Sequence, residues 1–87
     1  MAMIYIPPQL KSLADGVDCI QIDEGNIRRV ITRLEEQFPG VRDRLCQDDE
    51  LRPGLSVSVN GRISSLGLYQ KVQPQDEIHF IPAIGGG

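Results

Sequence analysis

The sequence contains no tryptophan, a single histidine and two cysteines. A lone histidine is more often a solvated or interface side chain than a catalytic one, and a histidine-based metal site would lack a second imidazole, so we expect neither a catalytic triad nor such a metal site. Cys19 and Cys46 lie too far apart for a CxxC motif, and two cysteines make no framework like those that crosslink small secreted proteins. We therefore expect both cysteines to be reduced thiols.

The chain has neither an excess of basic residues nor a long apolar run. Nine Lys and Arg residues face twelve Asp and Glu residues, a formal net charge of -3, so no positive charge is left over to neutralise phosphates. No apolar run approaches the roughly 18 to 20 residues that span a bilayer, and the N-terminus lacks the features of a signal peptide. We expect a cytoplasmic protein that binds neither nucleic acid nor membrane.

With 87 residues, the chain is predicted to form one domain. A domain of this size buries about 60 to 65% of its unfolded surface, which allows one modest core and no deep catalytic cleft. Adjacent carboxylates at 23–24, 35–36, 48–49 and 76–77 point to different sides of a helix or strand, so we interpret them as solvated surface. No phosphate-binding GxxxxGK[ST] pattern occurs. The sequence therefore predicts a protein that is not itself an enzyme.

Short strands flank one helix in the predicted order of elements. Residues 3–6 form a strand that Pro7 stops, residues 15–16 are a turn, and residues 17–22 return as the second strand of a hairpin. Asn26 is a helix cap. The apolar face of the helix that follows is Ile27, Val30, Ile31, Leu34 and Phe38. Pro39-Gly40 ends this helix.

The second half of the chain predicts more strands after a single helical turn at 41–45. Residues 47–54 are acidic and are interpreted as a surface loop. Residues 55–59 alternate as a strand, and residues 77–81 form the last strand, in which His79 points away from the core. This order is typical of an α+β roll with one sheet face uncovered. We expect that uncovered face to bind partners, through Tyr5, Ser56, Ser58, His79 and Ile81.

The end of the chain, Ile81-Pro82-Ala83-Ile84-Gly85-Gly86-Gly87, is the most informative stretch. Three glycines at a fixed place arise by chance in only roughly a few of ten thousand sequences. They follow an apolar strand with no polar spacer, and a backbone without Cβ atoms can thread a narrow channel. A carboxylate activated by ATP as an acyl adenylate is open to a sulfur or nitrogen nucleophile. A flexible chain end without function is the alternative.

The chain resembles the ubiquitin-like β-grasp sulfur carriers, the family of the small subunit of molybdopterin synthase and the thiamine-pathway carrier. The resemblance covers essentially the whole chain and rests on residues 26–40, 57–61 and 74–87. It implies a β-grasp roll with a mixed sheet of about four to five strands and one main helix. It also implies a single domain at residues 1–84 and a flexible glycine tail at residues 85–87.

The resemblance also implies a function for the terminus. A ubiquitin-activator-like adenylating enzyme would use ATP to join AMP to Gly87, and a sulfur donor would convert the adenylate to a thiocarboxylate. The sulfur would then pass to an acceptor such as a synthase subunit. Gly85 and Gly86 give the extension for threading, although Gly85 departs from the alanine, serine or threonine that family members often carry there. The segment 41–54 resembles the molybdopterin type and the carriers for cysteine synthesis. The carrier itself would bind no cofactor.

The residues expected to contact partners are those at the base of the tail: His79, Ile81, Pro82, Ala83 and Ile84. For Ile81 and Ile84, completion of the domain's own core is the open alternative. Two other functions also remain open. The chain could be a ubiquitin-like modifier joined to lysines through Gly87, or a binding domain of this fold without covalent chemistry.

Overall fold

The computed structural model describes residues 1–23 and 25–82. In this part the chain forms two α-helices and nine short strands, with single 3-10 turns at Pro8–Leu10 and Gly67–Tyr69. The elements in chain order are β1 (Ala2–Tyr5), β2 (Cys19–Ile22), β3 (Gly25–Asn26), α1 (Ile27–Gln37), α2 (Val41–Leu45), β4 (Cys46–Gln47), β5 (Glu50–Leu51), β6 (Leu55–Val59), β7 (Arg62–Ser64), β8 (Lys71–Val72) and β9 (Glu77–Pro82).

Five of the strands form one mixed sheet in the order β2-β1-β9-β6-β7. β1 and β9 are parallel, with Ile4 opposite Ile78, and the other pairs in this sheet are antiparallel. The last strand described therefore lies at the centre of the sheet, hydrogen-bonded on both sides. The predicted β-grasp architecture, with a mixed sheet of four to five strands and one main helix, is confirmed.

Helix α1 begins at the predicted cap. Asn26 has an extended backbone, with φ -141° and ψ 176°, and its side-chain oxygen accepts a hydrogen bond from the amide of Arg29 at 2.9 Å. This bond satisfies one of the first-turn amides that have no partner within the helix. The helix residues buried against the sheet are Ile27, Val30, Ile31 and Leu34.

The end of α1 is fixed by a carboxylate. Phe38 is the C-cap, and Gly40 has φ 104°, a left-handed value that favours glycine. Both carboxylate oxygens of Glu35 lie within 3.2 Å of the Gly40 amide, and Oε1 also accepts from the Arg42 amide at 2.8 Å. Those amides hold the pKa of Glu35 below its ordinary value. Glu35 thereby couples the end of α1 to the start of α2.

One hydrophobic core lies between α1 and the inner face of the sheet. Ile4 and Ile78, opposite each other on the two parallel strands, are both fully buried. Full burial of an aliphatic side chain of this size contributes about 1.5 to 3 kcal/mol. Leu10 and Ala14, in the connection from β1 to β2, close one end of the core.

The predicted surface loop at residues 47–54 is wrong in one respect, because residues 46–51 form a β-hairpin. Strands β4 and β5 pair with Gln47 opposite Glu50. Asp48 and Asp49 make the turn with φ 53° and 64°, values that aspartate tolerates better than most residues. Glycine or asparagine usually marks such a turn, so the acidic pair gave no recognisable signal. The strands β3, β7 and β8 were also too short to be recognised by alternation.

Replacing Asn26 with alanine is expected to lower the free energy of unfolding by about 1 kcal/mol, because the Arg29 amide loses its acceptor. Urea unfolding followed by circular dichroism measures this change. Asn26→Ser is the matched control, since serine can also cap a helix. Equal midpoints for the alanine and serine variants would contradict the assigned cap.

The stability of the protein is expected to fall in acid partly through Glu35. Its folded-state pKa lies below the ordinary value of 4.5, so its contribution is present above that pH and is lost as the pH falls through the folded-state pKa. Glu35→Gln should therefore lose stability less steeply than wild type as the pH falls below the ordinary glutamate pKa of 4.5. Glu36→Gln, on the exposed side of the same turn, is the control. Parallel wild-type and Glu35→Gln curves would refute the assignment.

Candidate functional site

The sheet has an outer face, defined as the side opposite α1. Strand pairing aligns one residue from each of the five strands across this face: Tyr5 opposite Cys19 and His79, and Ser58 opposite His79 and Ile63. We call these five residues the outer row. Because opposite residues in a sheet share a face, the row crosses the whole width of the sheet.

A stacked aromatic pair lies at the centre of the outer row. The rings of Tyr5 and His79 are 4.3 Å apart between centroids and inclined by only 4°. The pair exists because β1 and β9 run parallel in a register that sets these residues side by side. Both side chains are half-buried, while Ile78 and Phe80 on either side of His79 are buried in the core. The predicted outward direction of His79 is therefore confirmed.

Ser58 does not belong to the exposed part of this face, which corrects the prediction. Its side chain lies between the larger residues Ile63 and His79 of the neighbouring strands, and it is only 4% exposed. A small residue is covered when its neighbours on both adjacent strands are larger. Alternation along a single strand does not reveal such burial, because it does not show the neighbours. The other predicted members, Tyr5, Ser56, His79 and Ile81, are half-buried rather than fully exposed.

The end of β9 leads toward the tail along the edge of β6. β1 pairs with β9 at residues 77–79, and β6 continues to pair with it as far as Pro82. Ile81 lies opposite Ser56 on the outer face and is half-buried, while Pro82 is exposed. Ile81 thus lies on the outer face of the sheet rather than in the core.

The remaining predicted site residues lie outside the described residues. These are Ala83, Ile84, Gly85, Gly86 and Gly87. The predicted boundary between a domain at residues 1–84 and a tail at residues 85–87 also falls there and stays a prediction, as does the choice between docking and core for Ile84.

A cavity of about 270 Å³, lined in part by charged residues, lies between α1, α2 and the β4–β5 hairpin. Arg28 lies 2.6 Å from Asp49 across its mouth, and its hydrogen bond holds the pKa of that carboxyl below its usual range. Cys46 lines the cavity, and burial raises the pKa of its thiol, which disfavours the reactive thiolate. Cys19 and Cys46 are both free thiols, as predicted.

Asp76 is a structural residue rather than the solvated carboxylate that was predicted. One of its oxygens accepts from the side-chain amide of Asn60 at 2.8 Å, and the other accepts from the Gln73 backbone amide at 2.8 Å. These bonds fix the turn that enters β9. The partner across the sheet is 16 residues away in sequence, so local pattern did not reveal it.

Among the residues that the structure describes, the longest helix has 11 residues, and none is long and apolar enough to cross a membrane.

The chain is similar in sequence to known proteins. The sequence model of the ThiS family matches residues 6–87. Small archaeal modifier protein 3 from Haloferax volcanii is 28% identical over 67 residues, which cover 75% of this chain and 73% of that protein.

Solved structures share the fold over nearly their whole length. A chain in the crystal structure of the Amycolatopsis orientalis BexX/CysO complex superposes with a TM-score of 0.90 at 25% identity, covering 100% of both chains. CysO from Mycobacterium tuberculosis superposes with a TM-score of 0.86 at 22% identity, covering 97% of this chain and 100% of that chain. The resemblance to the β-grasp sulfur carriers that residues 26–40, 57–61 and 74–87 indicate is thereby confirmed.

Proposed function

This chain belongs to the ThiS family, and from that premise we propose that it carries sulfur as a thiocarboxylate on Gly87. It is a member of the sulfur carrier and ubiquitin-like modifier proteins. In this proposal the chain is a co-substrate, and the catalytic groups belong to the enzymes that bind it.

The proposed chemistry has two steps on the terminal carboxylate. One carboxylate oxygen of Gly87 attacks the α-phosphorus of ATP in the adenylating enzyme, which forms the acyl adenylate and releases pyrophosphate. A sulfur nucleophile such as hydrosulfide then attacks the acyl carbon and displaces AMP, leaving the thiocarboxylate. Glycine suits this site because no side chain hinders approach to the acyl carbon.

The observation that carries the proposal is the central position of β9. A strand held by β1 on one side and β6 on the other gives the tail a rigid base. Five residues follow Pro82, and an extended chain of five residues reaches at most about 17 Å. An adenylating site that acts on Gly87 must therefore lie within that distance of the end of β9.

The outer face supports docking of such an enzyme. Tyr5, His79 and Ile81 place a partly apolar surface next to the base of the tail, and Pro82 extends it. Aromatic residues in the middle of such a surface contribute strongly to protein association. One structural neighbour, the BexX/CysO complex, was crystallised as an assembly of two proteins. By analogy, we propose that a partner enzyme covers the outer face while it holds the tail.

We propose a biosynthetic acceptor of the molybdopterin or cysteine type. The support comes from residues 41–54, which form α2 and the β4–β5 hairpin. This is the segment in which the sequence resembles the molybdopterin-type and cysteine-type carriers. The acceptor could include a synthase subunit that receives sulfur directly from Gly87.

Deletion of Gly87 is expected to abolish thiocarboxylate formation without unfolding the domain, because the reacting carbonyl is displaced by one residue from the partner's active site. The measurement is the intact mass after incubation with ATP, a cognate adenylating enzyme and sulfide. The change must be localised to the C-terminal peptide, because oxidation of a methionine adds nearly the same mass as the exchange of oxygen for sulfur.

The control for this deletion is thermal unfolding of the same variant, which should match wild type. An unmodified Gly87 in the wild-type protein, with an adenylating enzyme shown to act on another carrier, would contradict the proposal. That result would favour a binding domain that works without covalent chemistry.

Ile81→Glu is expected to raise the KM for the carrier in adenylation by about tenfold and to leave kcat nearly unchanged, because it buries a charge in the docking surface away from the reacting atoms. Gln37→Glu, which adds the same charge on the exposed side of α1, should change KM by less than about twofold. Equal KM values for the two variants would place the docking surface elsewhere.

A protein modifier is the second candidate function, and the similarity to small archaeal modifier protein 3 favours it. The same acyl adenylate would react with a lysine amine instead of sulfide. Affinity purification of the tagged chain from its own cells, followed by peptide mass spectrometry, separates the two. Isopeptide bonds between Gly87 and lysines would establish modification, and thiocarboxylate alone would establish the carrier.

A further inference from the structure

A groove of about 240 Å³ lies between the β4–β5 hairpin and the turn that follows β7. It shares no residue with β9 or with the outer row. One wall belongs to the hairpin and the other to the 3-10 turn at Gly67–Tyr69 and the residue before it. Its principal lining residues are Asp49, Glu50, Leu51, Leu66, Leu68 and Tyr69.

The apolar residues of the groove divide into a base and a rim. Leu68 is buried and Leu51 is half-buried, so the base is joined to the hydrophobic core. Leu66 and Tyr69 are exposed by 58% and 77%. Residues three apart lie on the same side of a 3-10 turn, so these two side chains border the groove together. Large apolar side chains that adjoin one another at a surface mark interaction sites.

Hydrogen bonds of the Ser64 side chain and of the backbone hold the rim in this conformation. The Ser64 hydroxyl accepts from the Leu66 amide at 3.0 Å and donates to the side chain of Gln70 at 2.7 Å. The Tyr69 amide donates to the carbonyl of Leu66 at 3.0 Å, which closes the turn. The turn therefore presents Leu66 and Tyr69 outward before any partner arrives, and binding need not order this segment.

The charge at the groove is negative. Asp49 is paired with Arg28 at 2.6 Å, but no cationic group of the described residues lies within 4 Å of Asp48 or Glu50. Glu50 lines the groove on the side facing the rim. Glu50 and Tyr69 both line the groove, so a cation bound there has a carboxylate to pair with and an aromatic ring, which attracts cations, in the same site.

We propose that this groove binds a basic and apolar segment of a partner protein, with an aliphatic side chain on Leu51 and Leu68 and an arginine between Glu50 and Tyr69. An acidic segment is disfavoured by repulsion from Glu50, which lines the groove. Because the groove uses no residue of the outer face, its occupant does not compete for the surface proposed for the adenylating enzyme. The inference is independent of the chemistry at Gly87.

The test is a titration of the full ¹⁵N-labelled chain, followed by amide chemical shifts, with two blocked six-residue peptides. One alternates leucine with arginine, and the other alternates leucine with glutamate. The arginine peptide should shift amides at residues 49–51 and 65–69, and the glutamate peptide should leave them unchanged. Tyr69→Ser should weaken the arginine peptide by about threefold or more. Glu50→Gln should also weaken it and reduce its salt dependence.

Ile63→Ser is the matched control, because Ile63 is similarly exposed but belongs to the outer row. The affinity of this variant for the arginine peptide should equal that of wild type. Each variant is used only with a dispersed amide spectrum, and the Glu50 variant tests the same groove without changing its apolar surface. Equal shifts from both peptides, or none at millimolar peptide, would overturn the proposal. So would shifts at residues 65–69 that depend on the protein's own concentration, since these would make a second copy the occupant.

Discussion

The parallel pairing of β1 with β9 is the constraint on which the rest of this molecule depends. It brings the first and last described strands together at the middle of the sheet, with β2 outside one and β6 outside the other. Parallel neighbours require a crossover connection, and α1 lies in the chain between them, packed on one face. The same register has a result on each face of the sheet. On the inner face Ile4 lies opposite Ile78, and on the outer face Tyr5 stacks on His79.

The asymmetry of the two sheet faces follows from having one main helix. The inner face is covered by α1 and carries the aliphatic core, while the outer face carries a mixture of aromatic, hydroxyl and aliphatic groups. A core this small leaves little apolar surface to spare, so the hairpin and the 3-10 turns are needed to close its ends. Their ion pair and hydrogen bonds, between Arg28 and Asp49 and around Ser64, fix loops that would otherwise be mobile.

Much of this architecture could be predicted from local pattern. The spacing from Ile27 to Phe38, the cap at Asn26 and the break at Pro39-Gly40 defined α1, and alternation defined β6 and β9. Two kinds of feature could not be predicted this way. Pairing partners are set by contacts distant in sequence, which is why the Tyr5–His79 stack and the burial of Ser58 did not emerge.

The second kind is turn chemistry without its usual residues. Asp48 and Asp49 make a tight turn that contains no glycine. Asp76 fixes another turn through a hydrogen bond with Asn60, which is 16 residues away in sequence. The glycine tail, by contrast, could be recognised from the sequence. Its glycines carried the functional inference through composition and position alone, and the match to the ThiS family extends through them.

The central strand also has a mechanical consequence. A force applied along the axis of β9 at its C-terminal end acts nearly perpendicular to the hydrogen bonds of this strand with β1 and β6. Such a load shears both ladders at once instead of opening them one bond at a time, as peeling an edge strand would. A pull on the end of β9 is therefore shared by the hydrogen bonds of both ladders, so the sheet resists a load applied at this point.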